Sequence, residues 1–301
     1  MNRSKIIFIC IFSFLLLFKA EAQDTTDLMS QLEKEMGPDK NLTIYTTATF
    51  KTTRLVNGHS VENVGKGVLD VKISHRFGHI SDGSYNLYGL DNATMRMGMD
   101  YGITRYLMVG IGRSTFEKTY DGFFKLKILR QSRGKKKMPI TLSYVPTIAY
   151  RTIKFDDPLI ENYNTSRLFF THQLIIGRKF SEGTSIQLMP TFIHQNLVPL
   201  STEPNDFYAI GIGGRQKLTK RISINIEYYY QLPGHKLTGT SNALSVGFDI
   251  ETGGHVFQLH FTNSQGMNER TFISGTKSKW EKGEILFGFN ISRVFTIGKN
   301  H

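Results

Sequence analysis

Polar and apolar residues alternate with a period of two along most of the chain. The stretch VLDVKISHRF at residues 68–77 places leucine, valine, isoleucine and phenylalanine on one face, and aspartate, lysine, serine and arginine on the other. The same alternation recurs at residues 93–103, 139–152, 221–231 and 254–263. Because successive side chains of an extended chain point to opposite sides, this pattern predicts strands with one apolar and one polar face.

We predict twelve such strands. They lie at residues 67–77, 93–103, 106–116, 121–131, 139–152, 167–180, 184–194, 206–218, 221–231, 242–250, 254–263 and 284–296. Most exceed the five or six residues usual in soluble sheets and match a tilted crossing of a bilayer. Short and long connections alternate between them, as in outer-membrane barrels. We therefore predict an all-β fold, a transmembrane antiparallel up-and-down β-barrel of about 12 strands, with a soluble sandwich as the alternative.

Aromatic residues near the predicted strand ends favour the membrane barrel over the sandwich. Girdles of aromatic side chains mark both interfaces of such barrels. The residues that we assign to the girdles are Tyr101, Tyr106, Phe180, Phe207, Tyr208, Tyr230 and Phe295.

The first 22 residues have the features of a cleaved secretory signal peptide. Arg3 and Lys5 precede an apolar run at residues 6–18, and the small residues Ala20 and Ala22 precede Gln23. We predict cleavage before residue 23 and a final location in the outer membrane of a Gram-negative bacterium. The apolar run is short for a bilayer-spanning helix, so an N-terminal membrane anchor is the less favoured alternative.

Residues 23–66 are assigned to an N-terminal periplasmic or luminal plug segment. Within them, residues 43–55 (TIYTTATFKTTRL) have the composition of a strand, but their alternation consists mostly of threonine and provides no adequate lipid face. The alternative is that this stretch is a barrel strand and that another strand is miscounted. We predict a single barrel domain at residues 67–301.

Charge and cysteine content narrow the environment of the chain. The formal net charge is +12, and removal of the signal peptide, with three basic residues and one acidic residue, leaves +10. The only cysteine, Cys10, lies in the signal peptide, so the exported chain forms no disulfide. A basic exported chain suits anionic surroundings. The expected partners are outer-membrane lipid, a small anionic solute, and a periplasmic or envelope protein; nucleic acid is not expected.

Charged side chains on the polar faces are the main functional clue. The residues that we assign to the lumen lining are Lys72, Arg76, Arg96, Asp100, Lys125, Lys127, Arg151 and Glu227. One interpretation is that these charges pair across the interior and hold wall and plug together, since buried charges need partners or water. The other is a wet, slightly cationic lumen that favours anions. In the second case, neutralising Lys125 and Lys127 lowers the preference for anions.

Two glycines, Gly110 and Gly112, lie on the inward-facing side of their predicted strand. Small residues there permit a close neighbour, which we expect to be the N-terminal segment. A phosphate-binding loop is the alternative interpretation of these glycines and Lys118. It is disfavoured because a third glycine and a following helix are both missing from the sequence pattern.

Four stretches carry a family resemblance: FKTTRLVNGHSVE (Phe50–Glu62), GVLDVKISHRFG (Gly67–Gly78), DYGITRYLMVGIGRSTFEKTYDGF (Asp100–Phe123) and KLKILRQ (Lys125–Gln131). In them the chain resembles a family of bacterial outer-membrane β-barrel proteins that is classed as a domain of unknown function and occurs mainly in Bacteroidota-type Gram-negative bacteria. The resemblance covers most of the exported chain. It implies a barrel and a compartment, but no activity and no catalytic residues.

Together these observations favour a narrow channel or transporter for small polar or anionic solutes. A structural or assembly component of an envelope complex is the alternative. An outer-membrane lipid hydrolase or acyltransferase is less favoured, because no catalytic constellation stands out in the sequence. We identify no catalytic, cofactor-binding or metal-binding residues. His75 and His79, for example, are four apart in an extended chain, a spacing that does not form a compact metal pair.

Overall fold

A computed structural model describes residues 42–154 and 163–297 of the chain. The predicted signal peptide and residues 23–41 lie outside the described residues. Residues 43–66 belong to the same compact unit as the strands that follow them. The domain boundary at residue 66 stays a prediction.

The described residues form two short strands and twelve long ones. The short strands are β1 at Thr43–Tyr45 and β6 at Ser132–Gly134. The long strands contain 8 to 12 residues each. They are β2 Val68–His79, β3 Ala93–Gly102, β4 Leu107–Ser114, β5 Thr119–Leu129, β7 Thr141–Arg151, β8 Leu168–Lys179, β9 Thr184–Gln195, β10 Asp206–Lys217, β11 Ile222–Gln231, β12 Ala243–Thr252, β13 His255–Thr262 and β14 Leu286–Thr296.

The twelve long strands form one closed antiparallel barrel in sequence order, and β14 closes onto β2. At the closure, Ile291 lies opposite Ile73. The prediction of a twelve-stranded antiparallel barrel is confirmed. Strand β1 pairs with β6 in a separate two-stranded sheet, so the threonine-rich stretch at residues 43–55 is not a barrel strand.

The connections differ between the two ends of the barrel. At the short-turn end, the strands are joined by residues 103–106, 130–140, 180–183, 218–221 and 253–254. At the opposite end, called the long-loop end, they are joined by residues 80–92, 115–118, 152–167, 196–205, 232–242 and 263–285.

Helical structure is confined to short turns at the long-loop end, within the described ranges. The 3₁₀ turns are Ile80–Asp82, Ser84–Gly89, Phe116–Lys118, Asn164–Arg167 and Trp280–Lys282, and a π turn lies at Arg270–Ser274. None of the described helices has the length and apolar composition needed to cross a membrane.

Side chains alternate between a buried inner face and an exposed outer face along the barrel strands. On β3, Arg96 and Asp100 are buried, while Met97 and Met99 are exposed. Large exposed apolar side chains recur around the outer face, among them Ile111, Phe124, Ile148, Leu188, Ile212, Ile226 and Leu259. An apolar belt around a closed sheet suits lipid, because closure satisfies the backbone hydrogen bonds that lipid cannot.

Six of the seven aromatic residues assigned to the girdles are exposed near strand ends. The exception is Phe207, whose exposed fraction is 2 %. Its assignment to a girdle is wrong, because residue 207 has the inward parity of the buried Ala209 and Gly211 on β10.

Candidate functional site: a lumen filled from both ends

The first insertion into the barrel is a hairpin at residues 48–65, here called the luminal hairpin. Its turn is closed by a hydrogen bond from the Leu55 amide to the Gly58 carbonyl (2.8 Å), and the Ser60 amide donates to the Thr53 carbonyl (3.0 Å). Apart from such bonds its backbone is irregular. Its remaining polar groups therefore need partners on the barrel wall, since buried backbone donors and acceptors are almost always paired.

One wall carboxylate binds the tip of the luminal hairpin. Three successive amides, those of Val56, Asn57 and Gly58, donate to the Glu227 carboxylate at 3.2, 2.8 and 3.1 Å. Successive amides that converge on an anion form a strong site, because hydrogen bonds to a charged acceptor exceed neutral ones in strength. Arg76 also donates to the Asn57 side-chain oxygen at 2.7 Å. The tip is thus held from two sides of the wall.

Two wall lysines hold the arms of the luminal hairpin. Lys125 Nζ donates to the carbonyl oxygens of Thr53, Ser60 and Glu62, each at 2.9 Å. An ammonium group has three donors, so all the donors of Lys125 are used. Lys72 Nζ donates to Thr53 Oγ1 at 2.6 Å. Both lysines therefore hold the luminal hairpin against the wall.

Inward-facing glycines make room for the luminal hairpin. A Cβ atom at Gly177 would lie 3.4 Å from the Cβ of Val61, and one at Gly102 would overlap the carbonyl oxygen of Gly65. Similarly, a Cβ atom at Gly213 would overlap the side chain of Leu55. These glycines lie on β8, β3 and β10, so the hairpin contacts widely separated parts of the wall.

The expectation that Gly110 and Gly112 admit the N-terminal segment is wrong. A Cβ atom at Gly110 would overlap the ring of Phe123, and one at Gly112 would overlap the guanidinium of Arg96. Both side chains come from neighbouring strands of the wall. The alternation along the strand identified correctly which residues face inward. It did not identify which neighbouring side chains lie against these glycines.

The second insertion is formed by residues 263–276 of the β13–β14 connection, here called the luminal loop. Most of its residues are buried, and the Phe272 ring packs edge-on against Tyr229 with ring centroids 5.2 Å apart. Arg270 pairs with Glu117 at 2.5 Å and lies over the ring of Phe169, with its Cζ atom 4.4 Å from the centroid. The loop thus enters from the long-loop end and contacts the wall at several strands.

The two insertions meet at a buried ion pair. Arg54 of the luminal hairpin donates to Glu269 of the luminal loop at 2.8 Å, and both side chains are less than a tenth exposed. His59 Nε2 lies 3.3 Å from the same carboxylate oxygen and 3.3 Å from Arg54. Burial, and then the charge of Arg54, hold the pKa of His59 well below its usual range. The histidine is therefore neutral at pH 7.

Six of the eight residues assigned to the lumen lining are buried, namely Lys72, Arg76, Arg96, Asp100, Lys125 and Glu227. Lys72 pairs with Asp100 at 2.5 Å and with Asp70 at 2.6 Å. Arg96 forms a bidentate pair with Asp121, in which Nε donates at 2.9 Å. These pairs lie within the wall itself.

The other two residues, Lys127 and Arg151, are partly exposed. Lys127 Nζ lies 3.7 Å from the Glu62 carboxylate of the luminal hairpin. Arg151 forms no ion pair with any residue in the two described ranges. The eight residues are therefore distributed among wall pairs, hairpin contacts and the long-loop end of β7, and they do not form one site.

Open volume remains at the short-turn side of the luminal hairpin. A cavity of about 400 Å³ lies between the hairpin and the wall of β12–β14, and Lys51, Glu62, Asp70 and Glu251 line it. Here it is called the vestibule. A gap of about 20 Å³ beside Arg54 shares three lining residues with it. Since one water needs roughly 10–15 Å³, the gap holds about one water.

Sequence reasoning missed the luminal loop. A 23-residue connection at residues 263–285 exceeds the length at which loops without regular structure become unusual. It also contains the apolar pair Phe272 and Ile273, both buried. Length combined with an apolar pair in a polar connection was the available signal. Within residues 42–154 and 163–297, no three His, Cys, Asp or Glu side chains are grouped as metal ligands would be.

An apolar outer belt, a polar interior and a closed antiparallel sheet define a membrane-bound β-barrel. Residues 50–295 match the family described as "Membrane bound beta barrel domain (DUF5777)", and the chain belongs to that family. No curated protein matches the sequence.

Solved structures with a similar arrangement of strands include two porins and one outer-membrane protein. The NanC porin is 7 % identical, with 76 % of this chain and 98 % of the porin covered and a TM-score of 0.47. The KdgM porin is 10 % identical, with 76 % of this chain and 99 % of the porin covered and a TM-score of 0.44. Omp33 of Acinetobacter baumannii is 8 % identical, with 78 % and 100 % covered and a TM-score of 0.37. Similarities at this level support no conclusion about the function of this chain.

Proposed function

We propose that this chain is an outer-membrane channel for small polar or anionic solutes, closed in this conformation by the luminal hairpin and the luminal loop. The observation that carries the proposal is the polar character of the contacts that fill the lumen, above all those of Glu227 and Lys125. Replacing buried ionic groups by apolar ones is often neutral or stabilising. A barrel with a permanently filled lumen would therefore gain no stability from charged residues in its interior. A channel needs such residues along its water-filled lumen when it opens.

The vestibule supports a path that begins at the short-turn end. It narrows to the gap beside Arg54, where the ion pair with Glu269 joins the two insertions. In this proposal a solute enters the vestibule and passes when the luminal hairpin moves from the wall.

Movement of the hairpin also gives the open lumen its anion preference. Lys125 would lose three carbonyl partners, and Arg76 would lose the Asn57 oxygen. Glu227 would lose its three amides at the same time. Among the wall groups that lose hairpin partners, two are cations and one is an anion. In this proposal that local excess, rather than the net charge of the whole wall, favours anions modestly.

The proposal is tested by current measurements in planar lipid bilayers. We expect the purified exported chain to show infrequent openings and a reversal potential in a KCl gradient that indicates anion preference. The double variant Arg54→Gln and Glu269→Gln removes the ion pair without adding charge and should open more often. Glu281→Gln in an exposed turn is the matched control. Absence of current from the wild type and from the double variant, both folded, would reject the channel.

A structural or assembly component of an envelope complex is the second candidate. The narrowness of the gap beside Arg54, about 20 Å³, favours it, because a barrel whose lumen is filled from both ends suits a structural role. Purification from the native membrane distinguishes the two candidates. A stoichiometric protein partner together with absent conductance would support the second candidate, whereas conductance without a partner would support the channel.

Outer-membrane location and export by a signal peptide are part of the proposal. Fractionation with outer membranes, heat-modifiable migration on gels and a mature N-terminus at Gln23 are the expected results. Solubility without detergent would contradict the location.

A further inference from the structure

The two ends of the barrel differ strongly in charge. The connections of the short-turn end contain eight basic residues and one acidic residue, Glu182. The basic residues are Arg105, Arg130, Arg133, Lys135, Lys136, Lys137, Lys220 and Arg221. The connections of the long-loop end contain eight basic and ten acidic residues. Positive charge is therefore concentrated at one end.

A cavity of about 380 Å³ lies within this basic end. It is bounded by the two-stranded sheet of β1 and β6 and by the turn between β8 and β9. Its lining includes Tyr45, Arg133, Lys179, Phe180 and Glu182. The volume lies in the range of cavities that bind small ligands.

A carboxylate occupies the cationic part of this cavity. Lys179 Nζ donates to Glu182 at 2.8 Å and to the Thr47 carbonyl at 3.2 Å. The Lys179 hydrogen bond, and then the charges of Lys179, Lys217 and Arg133, hold the pKa of Glu182 below its usual range. The surroundings thus stabilise an anion at this position, and the Glu182 side chain is exposed to solvent.

Two arginines pack on the aromatic residues of the same cavity. The Cζ atom of Arg130 lies 4.4 Å from the centroid of Tyr45, and that of Arg178 lies 5.1 Å from the centroid of Phe180. Arg178 and Phe180 share the outer face of β8 with the exposed Leu174. Aromatic and basic side chains at a strand end are typical of the level of the lipid headgroups. The cavity therefore includes, in Phe180, a residue at the expected level of the headgroups.

We propose that this cavity and the arginines beside it bind the phosphate headgroup of an anionic phospholipid in the leaflet at the short-turn end. The headgroup phosphate takes the place of the Glu182 carboxylate at Lys179. Arg130 and Arg178 flank it, and the exposed Lys135, Lys136 and Lys137 add long-range attraction. A membrane lipid is favoured over a soluble anion because the lining residue Phe180 is exposed and has, like Arg178 beside it, the lipid-facing parity of β8. The site does not depend on whether the barrel conducts.

Native mass spectrometry of the exported chain in neutral detergent tests the proposal. The probes are dimyristoyl-phosphatidylglycerol and dimyristoyl-phosphatidylcholine, which have the same acyl chains and carry an anionic and a zwitterionic headgroup, respectively. We expect preferential retention of phosphatidylglycerol. Each basic residue near the surface contributes roughly fivefold, so Arg130→Gln with Lys179→Gln should lower the affinity for phosphatidylglycerol by about 25-fold. Glu182→Gln removes the one competing carboxylate and should raise the affinity for phosphatidylglycerol roughly fivefold.

The matched control is Lys277→Gln with Lys282→Gln, which removes two exposed charges at the long-loop end. It should leave the retention of phosphatidylglycerol unchanged, and heat-modifiable migration verifies that each variant is folded. Equal retention of the two lipids would overturn the proposal, as would an equal loss of affinity in the control. No gain of affinity in Glu182→Gln would show that the cavity is not the site. Displacement of the bound phospholipid by lipopolysaccharide, in preference to phosphatidylglycerol, would assign the site to a different lipid and reject the proposal.

Discussion

The luminal hairpin and the luminal loop both fill the lumen, but they are held in different ways. The hairpin's backbone groups bind charged and amide side chains of the wall, as in the three amides on Glu227. In the loop, the backbone groups bond mostly within the loop, as between Thr271 and Asn268, and the bonds to the wall come mainly from side chains such as that of Arg270. Withdrawal of the hairpin would leave more wall groups without a partner than withdrawal of the loop, because the hairpin makes more hydrogen bonds to the wall. Displacing the luminal hairpin from the lumen therefore costs more free energy than displacing the luminal loop.

The largest expected effect follows from removing the carboxylate at the hairpin tip. Glu227→Ala leaves three buried amides without an acceptor, at a cost of about 1–3 kcal/mol for each unsatisfied group. We expect rapid hydrogen exchange at residues 56–58 and a lower temperature of heat modification. Glu281→Ala in an exposed turn is the control. Unchanged exchange at the tip would show that Glu227 does not hold it.

Two lysine variants test whether the wall lysines hold the luminal hairpin in place or select the solute. Lys125→Met leaves three carbonyl oxygens without a donor and should destabilise the hairpin by about 2–3 kcal/mol. Lys127→Met breaks one partly exposed ion pair, worth about 0–1 kcal/mol. Urea unfolding in lipid vesicles measures both. If Lys125→Met lowers anion preference without raising the frequency of opening, the lysine acts on the solute rather than on the hairpin.

A loop variant should act on the loop alone. Arg270→Gln removes the ion pair with Glu117 and the contact with the Phe169 ring, a loss of about 1–2 kcal/mol. We expect faster hydrogen exchange at residues 268–276 and unchanged exchange at residues 56–58. Equal acceleration in both segments would mean that the two insertions open as one unit.

The smallest effect concerns pH. Burial, with the charge of Arg54, holds the pKa of His59 well below about 6.5, so the unfolded chain binds a proton at this residue more readily than the folded chain does. The contribution of His59 to stability is therefore complete above pH 6.5 and is lost as the pH falls toward its folded pKa. Urea unfolding between pH 7.5 and pH 5 should show this loss, and His59→Gln should reduce it. An identical pH profile in the variant would contradict the assignment.

Sequence periodicity predicted the barrel wall well because a spanning strand must meet lipid on one side. That requirement places an apolar residue at every second position, so the parity of Lys125 and Glu227 could be read directly. The insertions face no lipid and have no period. The luminal hairpin is instead held by backbone groups that bind distant wall side chains. The sequence alone does not show that Val56 and Glu227 lie next to each other.

Cys10 is the only cysteine of the sequence and lies in the predicted signal peptide, so an added cysteine pair allows a direct test of whether the luminal hairpin controls passage. In the variant Val61→Cys with Gly177→Cys, the two Cβ atoms would lie 3.4 Å apart, close to the 3.5–4.5 Å range of disulfides. Current through planar bilayers is measured on the oxidised protein and again after reduction. We predict that the disulfide forms and abolishes the openings and that reduction restores them. Equal current before and after reduction of a complete disulfide would show that solutes pass without displacement of the hairpin.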